Sequence, residues 1–144
     1  MKKIYFCLII LIMTTAASIA CAQTGSVRVE IYGITETKGL MSIGLYSNEG
    51  VFPDKGKEDN GVDVEITGQS IVHTFKDVPY GTYSIAIFHD INSNTKLDTN
   101  FLGIPKEGYA FSNNRFGAFG TPPGFEDASF EVSGDKTIKI QIEY

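Results

Sequence analysis

Residues 90 to 98 read Asp90-Ile91-Asn92-Ser93-Asn94-Thr95-Lys96-Leu97-Asp98, placing oxygen-bearing side chains at the first, third, fifth and ninth positions of a short segment. Calcium takes six to eight oxygens. Carboxylates and amides at alternate positions let one tight turn wrap the ion while a backbone carbonyl, here that of Lys96, supplies a further ligand. Asp90, Asn92, Asn94, Lys96 and Asp98 therefore form a candidate calcium loop. It departs from the EF-hand pattern at the sixth position, Thr95 in place of glycine, and at the twelfth, Phe101 in place of glutamate. Only Asp90 and Asp98 carry charge, so the expected affinity is that of extracellular modules, on the order of 0.1–1 mM. Asn100 or Glu107 could complete the shell. A second chemistry fits the same residues, because Asn and Asp also stabilise turns by accepting from nearby backbone N–H groups.

His89 precedes this loop and Glu107 follows it, and a histidine with a carboxylate can serve general acid–base hydrolysis. His89 and Asp90 cannot act as catalytic neighbours, because successive side chains on a strand point to opposite faces. There is no G-x-S-x-G elbow, and Cys7 and Cys21 both lie in the first 22 residues. The expectation is a non-enzymatic binding or structural domain with His89 as a structural strand-end residue, the alternatives being a hydrolase-like enzyme using His89 and Glu107 or a purely structural or adhesive envelope module without metal. His73 shares the Ile71 and Phe75 face by alternation and is read as structural too. Further on, Glu107, Tyr109, Phe111, Asn113 and Asn114 mix flat rings with carboxylate and amide groups. Such a set lines concave sites for a peptide or glycan, or satisfies the backbone of a long packed loop.

The elements that position these residues are strands. Val27, Val29 and Ile31 alternate with Arg28, Glu30 and Tyr32, and Ile138, Ile140 and Ile142 alternate with Lys139, Gln141 and Glu143. Further strands are expected at 40–46, around 62–66, and at 70–75, 82–89 and 128–132. Seven short strands with turn residues between them and no helical period predict an all-β, antiparallel Greek-key β-sandwich. Residues 48–61 are charged and rich in turn formers, and are expected as a solvated connection. The stretch 90–124 is longer than compact domains use for a connection. It is also too aromatic for disorder, with Tyr109, Phe111, Phe116 and Phe119, so it is expected to fold over one end of the sandwich. A small outer-membrane barrel would need strands of about nine to eleven residues, which few of these segments reach.

Residues 1–22 carry Lys2 and Lys3, an apolar run from Ile4 to Met13, and Ala20-Cys21-Ala22, the three parts of a secretory signal peptide. The run is too short for a membrane-spanning helix, which needs about 20 residues. Cleavage after Ala22 leaves one domain, 23–144, exported to the periplasm or secreted and lacking a transmembrane segment. The alternative is a lipoprotein anchored through Cys21. The whole chain has 12 basic and 17 acidic residues. The leader takes two lysines with it, so a nucleic-acid partner is excluded on charge. An envelope protein, a peptide or a glycan is the expected partner class. Without cysteines in the mature region the fold must rest on its core.

Three phrases carry a resemblance: Val78-Pro79-Tyr80-Gly81-Thr82-Tyr83; Ala86 to Asn94, with its His-Asp-x-Asn-x-Asn sequence; and Phe101-Leu102-Gly103-Ile104-Pro105-Lys106-Glu107-Gly108-Tyr109 followed by Phe111-Ser112-Asn113-Asn114. Together the chain resembles an uncharacterised bacterial exported family, the domain of unknown function 2141, over nearly the whole mature region. The resemblance implies a single exported domain and assigns no activity. Phe75 to Tyr83 is also similar, locally, to transthyretin-like and carboxypeptidase-regulatory-like β-sandwiches, which implies a module that binds or spaces and does not catalyse.

Overall fold

The computed structural model describes residues 22–144, so the signal peptide expected at 1–22 and the alternative anchor at Cys21 lie outside the described residues, Ala22 excepted. Eight strands form: β1 (Thr24–Tyr32), β2 (Leu40–Tyr46), β3 (Asn60–Glu65), β4 (Ser70–Pro79), β5 (Gly81–Asp90), β6 (Tyr109–Phe111), β7 (Phe130–Val132) and β8 (Lys136–Gln141). Among the described residues helix is confined to α1 (Phe125–Ala128) and three single 3-10 turns. The all-β expectation holds. The count of seven does not, because β6 lies inside the stretch expected as loop and is three residues long, too short for period-two alternation to register.

The strands make a three-stranded sheet, β4-β1-β8, and a five-stranded sheet, β3-β2-β5 with β6 and β7 sharing the far edge of β5. Gly81–Tyr83 pairs with β7 and Ala86–Phe88 pairs with β6. The expectation of a wholly antiparallel fold is corrected at one pair, since β1 and β8 run parallel from Val27↔Lys136 to Tyr32↔Gln141. The cause lies in the turn before β8. The Asp135 carboxylate accepts from the Ser26 N–H at 2.9 Å and from its hydroxyl at 2.7 Å, so β8 starts at the same end of the sheet as β1.

Alternation places one row of each strand between the sheets. Val27, Val29, Ile31, Ile71, Phe75, Ile138 and Ile140 from the first sheet meet Met41, Ile43, Leu45, Ile85, Ile87 and Val132 from the second in one continuous core. Burying each such side chain contributes roughly 1.5–3 kcal/mol relative to leaving it in water. A terminal strap ties the sheets at one end. The Ile142 N–H donates to the Tyr32 carbonyl at 3.0 Å, and Tyr109 and Glu143 exchange backbone hydrogen bonds at 2.9 and 3.2 Å. No helix among the described residues is long and apolar enough to cross a membrane.

Candidate functional site

The segment after β5 opens with a turn built on carboxylates. Asp90, 1% exposed at the end of β5, accepts from the backbone N–H of Asn94 at 3.0 Å and of Thr95 at 2.7 Å. The side-chain oxygen of Asn92 accepts from Asn94 N–H, and that of Asn94 accepts from Lys96 N–H. Their amide nitrogens converge on one carboxylate, with Asn92 donating to Asp98 at 2.6 Å and Asn94 at 3.1 Å. Thr95, standing where an EF-hand has glycine, has φ of 69°, a left-handed conformation that a β-branched residue adopts only under constraint. Gly39 has φ of 74° and lies so close that a Cβ there would come within 2.2 Å of the Asp90 carbonyl oxygen, so the β1–β2 connection can pass the turn only with glycine.

Four of the five expected calcium ligands thus bring their side chains to one small volume, while Lys96 stands on its rim with an exposed side chain. Among the described residues no three His, Cys, Asp or Glu side chains form a metal-binding group. A cation here would draw on two carboxylates, two amide oxygens and the Lys96 carbonyl. That donor set suits a hard ion held by oxygen and does not suit a transition metal.

His89 is fully buried. Its Nε2 lies 2.8 Å from the Lys38 carbonyl, which can only accept, so Nε2 carries the proton and Nδ1 accepts from the Tyr144 hydroxyl at 2.7 Å. Glu107, 5% exposed, accepts from Ile91 N–H at 2.9 Å and from Asp98 N–H at 2.8 Å, clamping the two ends of the turn. His89 and Glu107 are each engaged by separate structural partners.

The concave feature lies on the outer face of the five-stranded sheet. Alternation turns Ser42, Gly44 and Tyr46 of β2, Ala86 and Phe88 of β5, and Tyr109 and Phe111 of β6 away from the core. In register, Asp63, Ser42, Phe88 and Tyr109 form one cross-strand row, and Gly61, Gly44, Ala86 and Phe111 the next. The second row has three small residues beside one large one, so the floor dips at Ala86. The walls come from two connections, Pro53–Glu58 on one side and parts of residues 97–122 on the other, enclosing a cleft of about 540 Å³. Leu102, Ile104 and Phe119 stand on its lips at 68%, 55% and 106% exposure.

Aromatic packing sets these walls. Phe52 meets Tyr46, Phe111 and Phe125 edge-on at 5.4–5.9 Å, and Phe116 meets Tyr109 and Phe111 at 5.6 and 5.8 Å. The Tyr46 hydroxyl donates to the Pro53 carbonyl and the Tyr109 hydroxyl to that of Gly120. Burial pushes the Tyr46 hydroxyl well above the ordinary phenol range. At the polar end of the floor the Lys55 ammonium donates to Ser42 Oγ at 2.6 Å and to Asp63 at 2.7 Å, 5.0 Å from the centre of the Phe88 ring. Lys55 holds the Asp63 carboxyl below its ordinary value although partial burial pushes the other way.

The chain matches, over residues 29–141, the family described as uncharacterized protein conserved in bacteria (DUF2141). It belongs to that family. No curated protein and no solved structure matches the chain. The matched span includes the whole Asp90–Asp98 turn and every cleft residue named above.

Of the ligand-facing residues expected from sequence, Tyr109 and Phe111 line the cleft, while Glu107, Asn113 and Asn114 do not. Asn113 donates to the carbonyls of Asp127 and Ser129, and Asn114 accepts from Gln141 N–H, so both amides serve the backbone. Sequence reasoning missed Lys55, Phe88 and the wall 53–58, which it expected as solvated connection. The signal was present in β2 and β5, where Ser42, Gly44, Ala86 and Phe88 stand at positions that a solvent-facing strand fills with charge.

Proposed function

We propose that this protein is an exported, non-enzymatic binding module of the bacterial cell envelope, and that its binding site is the cleft on the outer face of the five-stranded sheet. The observation that carries this reading is the cleft itself: a floor of small and aromatic residues, two walls and three exposed apolar lips, in the size range of small-molecule sites. The Asp90–Asp98 turn orders the wall behind it by holding calcium through Asp90, Asn92, Asn94, the Lys96 carbonyl and Asp98. The gathering of the Asp90, Asn92, Asn94 and Asp98 side chains in one turn supports that assignment. Engagement of both His89 ring nitrogens by structural partners supports a non-enzymatic role over hydrolysis by His89 and Glu107. The proposed finer architecture is a Greek-key sandwich, supported by chain crossings between the sheets at β1–β2, β3–β4, β4–β5 and β7–β8.

Thermal melts of the metal-stripped protein test the calcium part. At 10 mM calcium and a dissociation constant near 1 mM, the stabilisation is about 1.4 kcal/mol, a rise of a few degrees for a domain of this size. Magnesium should give less, and Asp98→Ala should abolish the calcium effect. No rise with either ion returns the turn to hydrogen bonding alone.

A further inference from the structure

Resting on the cleft as the binding site, we propose that its ligand is a single-chain amphiphile of the fatty-acid type, with the hydrocarbon chain between the apolar lips and the carboxylate at the Lys55 ammonium. The floor and lips present Ala86, Phe88, Leu102, Ile104, Tyr109 and Phe119. Apart from Thr99, the hydroxyl groups that line the cleft already have partners. The Tyr46 and Tyr109 hydroxyls donate to carbonyls of the walls, Thr121 Oγ donates to the Ala118 carbonyl, and Ser42 Oγ accepts from Lys55.

A glycan would bring several hydroxyls into a space with few polar groups left to pair them, and each unpaired buried group is costly. A peptide would bring backbone amides, for which a free sheet edge is the usual partner. Beside the cleft the edge of β5 is occupied by β6, whose Tyr109 is itself paired with Glu143, and the sheet's other edge, on β3, contributes no residue to the cleft. A hydrocarbon chain needs no partners at all.

Among the described residues, the one cation that lines the cleft is Lys55. An ammonium has three N–H donors, and Ser42 and Asp63 take two of them, leaving one for the ligand. Of the two carboxylates that line the cleft, Asp54 is ion-paired with Lys57, and Glu58 accepts from the neutral Gly56 N–H. Phe119 is fully exposed on a lip, and Phe101, next to the Leu102 lip, is 95% exposed. A hydrocarbon chain beneath Phe119 would cover that ring, each buried methylene contributing about 0.8 kcal/mol.

The test titrates the exported protein with 1-anilinonaphthalene-8-sulfonate and then displaces this probe with dodecanoate or dodecanol. The expected result is saturable probe binding at one site, displaced by dodecanoate. Ala86→Phe, which fills the floor, should abolish binding without lowering the melting temperature. Lys55→Met should weaken dodecanoate about tenfold and leave dodecanol unchanged, the loss of one charge-assisted hydrogen bond. Probe binding that Ala86→Phe abolishes but dodecanoate does not displace overturns the amphiphile while the cleft remains the binding site. No probe binding overturns both. Association with vesicles of anionic phospholipid, unaffected by Ala86→Phe and without binding of monomeric dodecanoate, overturns the cleft ligand in favour of a membrane surface.

Discussion

The two sheets share one core and differ on the faces turned away from it. In the three-stranded sheet the outward row is Arg28, Glu30 and Tyr32 of β1, Val72 of β4, and Thr137, Lys139 and Gln141 of β8, exposed or half-exposed and partly tied to one another, as in the Arg28–Glu30 pair at 2.9 Å. In the five-stranded sheet the outward row of β2 and β5 is small or aromatic, and every residue from Met41 to Tyr46 is buried. Equal architecture with unequal outer faces separates two tasks. Alternation with charge outside is enough to fold a sandwich, whereas covering a second face takes two long connections and creates a cleft that folding alone does not require.

The largest effect that could break this comparison is on the outward faces themselves. Phe111→Ala removes a ring packed against Phe52, Tyr109 and Phe116 and should cost about 3–5 kcal/mol in urea denaturation. Val72→Ala on the other sheet, 49% exposed, should stay within about 0.5 kcal/mol. Comparable costs would mean that the two outer faces are alike.

Next comes the clamp on the long wall. Glu107→Gln leaves a single side-chain oxygen facing the N–H groups of Ile91 and Asp98, so one buried donor is orphaned at about 1–3 kcal/mol. Amide exchange at Ile91 and Asp98 should quicken, while that of β1 and β8 is unchanged. Uniform acceleration through both sheets would show that the wall is part of the core cooperative unit.

Smaller again is the terminal strap. A Cβ at Gly108 would lie 2.6 Å from the Tyr144 ring, so Gly108→Ala should displace Tyr144 at a cost of about 1 kcal/mol, modest because the last residue can swing into water. Its signature is loss of the hydrogen bond at His89 Nδ1, visible in the nitrogen shift of that ring. An unchanged shift would mean that Tyr144 is not held there.

The smallest effect is of pH. Burial beside Phe75 lowers the His73 pKa below its ordinary value, the rings meeting edge-on at 4.6 Å. Below about pH 6.5 the unfolded chain binds the proton more readily than the folded one. The contribution is therefore present above that pH and is lost as pH falls through the folded value. His73→Gln should flatten this part of the stability profile, and a profile unchanged by the substitution would assign the slope elsewhere.

Most of the strand ladder could be read from the sequence because its cause is local. Period-two alternation located β1, β2 and β5 within one or two residues of their observed bounds and β8 within three, since a strand with one face in the core must alternate. The crowding of Asn and Asp after His89 likewise marked the turn, because those side chains reach only their near neighbours. Decisions of register and crossing were beyond it. That β8 lies parallel to β1 brings Asp135 to Ser26, more than a hundred residues away in the chain. Asn113 and Asn114 look from sequence like ligand groups and serve the backbone because distant carbonyl and amide groups fold against them. The cleft exists because Gly44 and Ala86 fall in one cross-strand row beneath two connections that meet only in three dimensions. The sequence by itself determined which residues are apolar and which segments extend, through short-range sterics and solvation. Which of those residues face the cleft was decided only by the tertiary structure, because concavity is a property of pairing between strands and not of any one of them.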